Sequence, residues 1–455
     1  MDVAEAAGGA MKLSSLLALW TAASPAAVWT VSSTGPLASV QQAIRVAAAG
    51  DTIRIQAGAY AGNVVLDRKL SLEGVGRPVI RGEGRASVIT VLADGCTIRN
   101  LIVENSGGML VDEDSGILLR SSGNRVEHNE LRDVLFGIYL YHSDNNTLTD
   151  NVIRGRPYLS PGERGAGIHI WNSSGNTISG NTISVARDGM YLQNAYHTVV
   201  THNRVHDLRY GLHYMSSDDN RFEDNQFYDS VAGAAIMYSR RIEFRRNVFR
   251  HNRGFSSFGI LFQDSEHCMA EENVFADNAV GIFMEALRAS VFRRNLIAAN
   301  DTAIQAFGSA AGNTFEQNNF IGNLSPIAVI GRSSGSEWSR GGHGNYWSEY
   351  QGYDMDENGV GDVPFRLQNV FERMEGDYPR LRLYLFSPAS QALALSEKLV
   401  PLIRGSEEYD RFPLMKPVDL RMEHGPAPPP APYAVWPPLA MAAASIFVMA
   451  WGRLR

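Results

Sequence analysis

Asparagine recurs along the middle of the chain at a spacing close to 22 residues. Successive gaps are 22, 30, 22, 22, 22, 26, 22 and 23 residues, and Asn100 extends the series upstream. Each asparagine is followed by a short β-rich segment such as "NVFR" (247–250), and each unit restarts at a small residue, most often glycine. The recurring residues are Asn129, Asn151, Asn181, Asn203, Asn225, Asn247, Asn273, Asn295 and Asn318.

A period of this length with short β segments is typical of a β-solenoid, whose turns stack as parallel strands. Equivalent asparagines then form a column, and asparagine also tolerates the left-handed conformation of sharp corners. We therefore predict an all-β fold, a right-handed parallel β-helix over residues 38–335. Residues 39–55 are predicted to form an amphipathic cap helix and the first strand. The longer gaps correspond to loop insertions at 156–166 and 253–258.

Alternation after each restarting glycine separates inward from outward side chains. The first and third positions are apolar, as at Ile168 and Ile170, and are predicted to face the core. The second and fourth positions form an outer stripe that we expect to face solvent. An alternative is that the inserted loops or the C-terminal segment cover it. Its members are Tyr139, Tyr141, His169, Trp171, Tyr191, Gln193, His213, Met215, Ala235, Met237, Leu261, Gln263, Phe283 and Glu285.

The outer stripe is rich in aromatic, histidine and methionine side chains, and exposed apolar surfaces of this size usually bind something. Histidine and methionine favour soft or borderline metals, above all copper. His213, Met215 and Met237 are predicted to share one ion, most readily Cu(I), because rungs lie ~4.8 Å apart. His169 is too far from that ion without movement. The residues predicted to bind a cofactor are Tyr139, Tyr141, His169, Trp171 and Tyr191.

A second candidate metal site follows the solenoid, within a segment predicted at 336–382. Asp354, Asp356, Asn358 and Asp362 occupy positions 1, 3, 5 and 9 of a calcium-loop pattern. Phe365 stands at position 12, where such loops carry glutamate. The stretch therefore predicts either a variant calcium site or a plain acidic turn.

The two ends of the chain carry targeting and tethering signals. Residues 1–26 are predicted to be a secretory signal peptide, with Met11 as the favoured start because its apolar run follows a lysine. Residues 383–424 are predicted to be a helical docking or capping segment, and 425–432 a proline-rich linker. Residues 433–452 are uncharged and precede two arginines, which favours a membrane helix. Two prolines within it leave an interfacial helix as the alternative.

The net charge of −7 argues against a general nucleic-acid partner, because a polyphosphate favours a basic surface. Two cysteines, Cys96 and Cys268, form no metal-binding motif and are predicted to be buried small residues.

The repeats of the type "GIYLYHSDNNTLTDN", the stretch "GNYWSEYQGYDMDENGVGDVPF" and the later "SPASQALALSEKLVPL" and "FPLMKP" together resemble the NosD family over roughly residues 38–420. The resemblance implies an extracytoplasmic, periplasmic subunit of an ABC transporter needed to build the copper-sulfur centre of nitrous oxide reductase. It implies work beside a copper chaperone and a binding role rather than catalysis. It supplies no ligand motif, so the metal residues rest on the stripe alone.

Two other interpretations stay open. A lyase, epimerase or hydrolase acting on polysaccharide could use the same β-helix, although glycoside hydrolysis needs two positioned carboxylates and the outer stripe carries one acid, Glu285. A glycan-binding module without catalysis is the third interpretation.

Overall fold

The computed structural model describes residues 26–331, 333–368, 381, 384, 387–389 and 408–420. The predicted parallel β-helix is confirmed: about 14 turns stack as a solenoid of parallel strands. The α-helix Val40–Val46 begins at Ser39, whose hydroxyl accepts from the backbone of Gln42. Its buried residues Val40, Ala43 and Ile44 join the solenoid core near its first rungs.

Three parallel sheets run the length of the stack. The first contains Val28–Val31, Thr52–Ile55, Ser71–Gly74, Thr97–Arg99, Arg125–Glu127, Thr147–Thr149, Thr177–Ser179, Val199–Thr201, Arg221–Glu223, Glu243–Arg245, Met269–Glu271, Val291–Arg293 and Thr314–Glu316. The second contains Val64–Leu66, Ile89–Val91, Ser115–Leu119, Phe136–Tyr141, Ile168–Trp171, Asp188–Gln193, Tyr210–Met215, Ala232–Met237, Phe258–Gln263, Val280–Glu285, Thr302–Phe307 and Ser325–Ile330. The third contains Ala59–Ala61, Val79–Arg81, Ile102–Glu104, Glu130–Arg132, Val152–Arg154, Thr182–Ser184, Arg204–His206, Gln226–Tyr228, Val248–Arg250, Val274–Ala276, Leu296–Ala298, Asn319–Ile321 and Tyr346–Trp347.

The recurring asparagines form the predicted buried column. Asn203 Nδ2 donates to Asn225 Oδ1 at 2.9 Å and to the Ile178 carbonyl at 2.9 Å. The corner chemistry differs from our expectation, because the residue before each column asparagine takes the left-handed conformation. His202 has φ 57° and Asp224 has φ 56°. The asparagine is therefore placed by the hydrogen bonds it makes rather than by its tolerance of positive φ.

Asn100 does not extend this column, which corrects the predicted series. Asn100 has φ 59° and takes the left-handed corner position. Leu101 takes the column position, and its backbone N–H donates to Asn129 Oδ1 at 3.1 Å. The column therefore begins at Asn129.

The restarting glycines are required by the close stacking of the rungs. A Cβ built on Gly189 would lie 2.5 Å from the carbonyl oxygen of Gly211, and one on Gly211 would lie 2.5 Å from that of Gly233. Inward side chains from all three sheets fill the interior. Aromatic rings stack along it, with Phe222 and Phe244 centroids 4.9 Å apart.

The chain returns to seal the last rungs. Phe365–Arg366 pairs antiparallel with Tyr409–Asp410. Buried Glu408 accepts from Trp338 Nε1 at 2.6 Å, and buried Asp410 accepts from Trp347 Nε1 at 3.0 Å. Burial raises the pKa of Asp410, while hydrogen bonds from Trp347, Asn345 and Phe412 oppose the rise. The segment around residue 410 is thus fixed to the C-terminal end of the solenoid.

Candidate functional site

The outer stripe lies on the second sheet, as two rows in parallel register. One row pairs Tyr139 with His169, His169 with Tyr191 and Tyr191 with His213. The other pairs residues two positions further along each strand, and it includes the neighbours Met215 and Met237. Because the register is strict, the sequence spacing places these side chains on one face.

Part of the outer stripe is covered, so the prediction that it faces solvent is wrong for Ala235 and Leu261, which are buried in a separate apolar cluster, and for Tyr139 and His169. The exposed fractions of Tyr139 and His169 are 2% and 7%. The inserted segment 156–166 folds over this end of the sheet, where Leu159 packs in one apolar cluster with Phe136 and Tyr191. Tyr141, Trp171, His213, Met215 and Met237 are half-buried, as is Tyr191. The alternative that an inserted loop covers the stripe is therefore correct for its first rungs.

His169 lies inside a box of aromatic rings, which we call the His169 box: Phe136, Tyr139, His169, Trp171 and Tyr191. Ring centroids of Tyr139, Tyr191, Phe136 and Trp171 lie 4.5, 4.8, 5.6 and 6.2 Å from that of His169. Neither ring nitrogen of His169 has a hydrogen-bond partner among the described residues. Burial, helped by the charge of Arg187, lowers the pKa of His169 to about 3. The imidazole is consequently neutral at physiological pH.

His213 is held by a buried carboxylate. Its Nδ1 lies 3.2 Å from Oδ2 of Asp188, which is fully buried. Arg209 donates to both oxygens of the same carboxylate, at 2.9 and 2.8 Å. Burial alone would raise the pKa of Asp188, but the hydrogen bonds and charges of His213 and Arg209 lower it. Since a carboxylate can only accept, Nδ1 carries a proton in this pair, and in the neutral ring Nε2 is then the nitrogen with the lone pair that a ligand needs.

Two methionines lie beside His213 on the same face. Met215 follows it by two residues on the strand Tyr210–Met215, and Met237 is the register partner of Met215 on the next rung. The hydroxyl of Tyr191 lies 3.7 Å from the sulfur of Met215. Met215 and Met237 therefore lie on the same face as His213, two positions along the strand and one rung further, while the rung of Tyr191 separates His169 from His213. Joint binding of an ion by His213, Met215 and Met237 stays a prediction.

Comparison with known proteins shows the family of this chain. The family described as periplasmic copper-binding protein (NosD) matches residues 152–352, which include His169, His213, Met215 and Met237. A probable ABC transporter binding protein NosD of Pseudomonas aeruginosa is 30% identical over 375 residues, covering 80% of this chain and 87% of that protein. The chain belongs to the NosD family. The namesake from Stutzerimonas stutzeri is 26% identical over 380 residues, covering 80% of this chain and 86% of its own length.

Solved β-helices also resemble this NosD protein in overall form. The A-module of the Azotobacter vinelandii mannuronan C-5 epimerase AlgE4 superposes with a TM-score of 0.49 at 16% identity, covering 61% of this chain and 88% of that module. The Dettilon tailspike protein gives 0.49 at 13% identity, covering 64% of each chain.

Asp188 is the residue of the candidate site that the sequence pattern did not reveal. It lies at the position directly before the restarting glycine, and its register partner is Tyr210. Later rungs carry Ala232, Phe258 and Val280 in the same row. An acid in a row whose other members are uncharged was a usable signal, but the row becomes visible only when the register is known.

The calcium-loop candidates lie in one turn, with their carboxylates directed at the backbone. Asp354 Oδ2 accepts from Gly359 N at 2.8 Å, and Asp362 Oδ2 accepts from Met355 N at 2.8 Å. Asn358 Nδ2 donates to Asp356 Oδ2 at 2.8 Å. In the described part of the chain, no three His, Cys, Asp or Glu side chains are grouped as metal ligands. Calcium binding by Asp354, Asp356, Asn358 and Asp362 stays a prediction.

Several predicted segments of this NosD chain lie outside the described residues. They are nearly all of the signal peptide 1–26, most of the helical segment 383–424, the linker 425–432 and the candidate membrane helix 433–452. Within the ranges that are described, no helix has the length and apolarity to cross a membrane.

Proposed function

We propose that this protein is a periplasmic binding subunit that takes up Cu(I) at His213, Met215 and Met237 and passes it on within an ABC transporter system. The family description and the names of the two relatives support the periplasmic, transporter-associated part. The observation that carries the copper part is the Asp188–His213 pair beside Met215. The recipient is the copper-sulfur site of nitrous oxide reductase, and a copper chaperone is the donor.

The ligand chemistry suits a carrier of Cu(I). A neutral imidazole nitrogen and two thioethers are soft or borderline ligands, which favour Cu(I) over hard divalent ions. All three ligands are uncharged, and they lie half-buried on an outer face where another protein can reach them. A site of this kind holds the ion without a thiolate and can release it to a stronger ligand set. The protein binds and hands over the ion and does no catalysis.

Anaerobic competition titration with a chromophoric Cu(I) chelator tests the proposal. In the variant His213→Gln/Met215→Leu/Met237→Leu, Cu(I) affinity at this site should fall at least a hundredfold, because all three ligands are lost. Met269→Leu is the matched control, since Met269 is also half-buried on an outer face, that of the first sheet. Unchanged affinity in the triple variant would rule the site out.

A glycan-binding or carbohydrate-active role is the second candidate. The observation in its favour is the run of aromatic rings at Tyr139, Tyr141, Trp171 and Tyr191 on consecutive rungs. Against hydrolysis, the buried acid next to this run, Asp188, is bonded to Arg209 through both oxygens. Turnover of an acidic or neutral polysaccharide by the wild-type protein would favour this role over copper carriage.

Residues 433–452 are proposed to hold the protein at the membrane, close to the transporter's membrane subunit. Fractionation of cells that express the chain with and without residues 433–455 tests this. The truncated chain should move from the membrane fraction to the periplasmic fraction, and an unchanged distribution would exclude this anchor.

A further inference from the structure

The His169 box contains a buried polar group that the fold leaves unsatisfied. Folded proteins pair the large majority of buried polar atoms, and each one left unpaired costs about 1–3 kcal/mol. His169 is buried, with 7% of its surface exposed, and neither of its ring nitrogens is paired among the described residues. An apolar residue of similar size would fill the same space without that cost. The histidine therefore points to a ligand.

We propose that the His169 box is a second soft-cation site, which holds one Cu(I) between a ring nitrogen of His169 and the faces of Trp171, Tyr139 and Tyr191. Cu(I) accepts neutral imidazole, and aromatic faces attract cations within about 6 Å of the ring centroid. The identity of the ion rests on the proposed function. The position of the site rests on the unpaired ring alone.

The distance between the two histidines requires two ions rather than one. His169 and His213 lie two rungs apart in the same row, which corresponds to roughly 9.6 Å at ~4.8 Å per rung. The ring of Tyr191 lies between them, with centroids 4.8 Å from His169 and 4.7 Å from His213. The Tyr191 hydroxyl reaches the sulfur of Met215. Tyr191 thus contacts both sites, so that the outer stripe has two adjacent binding sites for the ion.

The enclosure of the box favours an ion over a sugar. A sugar ring stacks on an open aromatic platform, whereas Tyr139 and His169 are buried and Tyr191 packs with Leu159 on one apolar cluster. The rings that would stack a sugar are here packed around the imidazole, with the Tyr139 centroid 4.5 Å away. A monatomic cation needs one nitrogen ligand, and both nitrogens of His169 lack a hydrogen-bond partner among the described residues.

Titration of the full chain with Ag(I), a redox-inert stand-in for Cu(I), tests this inference by calorimetry and tryptophan fluorescence. The wild type should bind two equivalents, and one of them should quench the emission of Trp171, identified by its loss in Trp171→Phe. His169→Phe should bind one equivalent and leave Trp171 unquenched. The triple variant at His213, Met215 and Met237 should also bind one equivalent, with the quenching intact. His169→Met supplies a thioether and should restore the second equivalent.

Thermal unfolding separates loss of the site from loss of the fold. His169→Phe should unfold at or above the wild-type temperature, because two unpaired nitrogens are removed from an apolar box. Two equivalents and normal quenching in His169→Phe would overturn the inference. Quenching of Trp171 by an oligosaccharide and not by Ag(I) would overturn it in favour of a glycan site. Failure of the proposed function has a different result: the triple variant keeps both equivalents while His169→Phe loses one.

Discussion

Asn203 and His169 are both buried polar residues of neighbouring rungs, and the chain satisfies one of them and not the other. Asn203 Nδ2 donates to Asn225 Oδ1 and to the backbone carbonyls of Ile178 and Thr201. His169 makes no hydrogen bond within the described chain. The column of asparagines exists because the corners of the solenoid expose backbone groups that need partners. No such need explains His169, whose neighbours are aromatic rings.

Asn176 also carries an unpaired buried group, but here the repeat itself explains it. Its Oδ1 accepts from Asn146, but its Nδ2 has no partner among the described residues. The equivalent residue one rung further is Thr198, which lacks the amide oxygen that would continue the column. A break in a repeat thus accounts for Asn176, whereas His169 belongs to no such series.

Breaking the asparagine column should have the largest effect on stability. Asn225→Ala removes the bonds to Asn247, Val200 and Asn203, and it leaves buried backbone groups unpaired. We expect a loss of roughly 3 kcal/mol in the free energy of unfolding, measured from urea denaturation. Ser184→Ala, at a half-buried outer position, is the control and should change stability by less than ~0.5 kcal/mol. Equal midpoints for the two variants would contradict the structural role of the column.

The sequence was sufficient for the column and for the direction of side chains such as Ile168 and Ile170, because both follow from a strict period and a two-residue alternation. It was not sufficient for the burial of His169. That depends on how residues 156–166 fold over the sheet, and an insertion has no period to read. It also missed the link from Asp188 to His213, since the two residues are 25 positions apart and meet only through the parallel register.

Removing the support of His213 should have the next largest effect, on binding rather than on the fold. Asp188→Asn no longer fixes the proton on Nδ1 of His213, so Cu(I) affinity should fall about tenfold to a hundredfold. ¹⁵N NMR of the His213 ring should show one tautomer in the wild type and a mixture in the variant. Asp207→Asn is the control, because Asp207 pairs with His206 at 2.7 Å on another face. An affinity equal to wild type in Asp188→Asn would remove Asp188 from the site.

Lowering the pH should reduce the contribution of His169 to the free energy of unfolding. The contribution of the asparagines should stay the same, because asparagine does not titrate. Because the folded pKa of His169, about 3, lies below its ordinary value of 6.5, the unfolded chain binds the proton first as the pH falls. The contribution to stability is complete above pH ~6.5 and decreases toward pH ~3. Relative to His169→Phe, the wild type should lose about 2 kcal/mol between pH 7 and pH 5. Parallel stability curves for the two proteins would show that His169 is not buried as a neutral ring.

Calcium should have the smallest effect on the free energy of unfolding, because the carboxylates of the candidate loop already accept hydrogen bonds. The carboxylates of Asp354 and Asp362 accept backbone N–H groups of their own loop, so an ion must displace bonds that already exist. We expect millimolar Ca²⁺ to raise the free energy of unfolding by less than ~1 kcal/mol, which corresponds to a Kd near the ion concentration. Asp354→Asn/Asp356→Asn should abolish the increase, and Mg²⁺ should not reproduce it. A large increase would mean that the loop rearranges around the ion. Polar side chains that are already hydrogen-bonded could then bind a ligand as well as the unpaired His169 does.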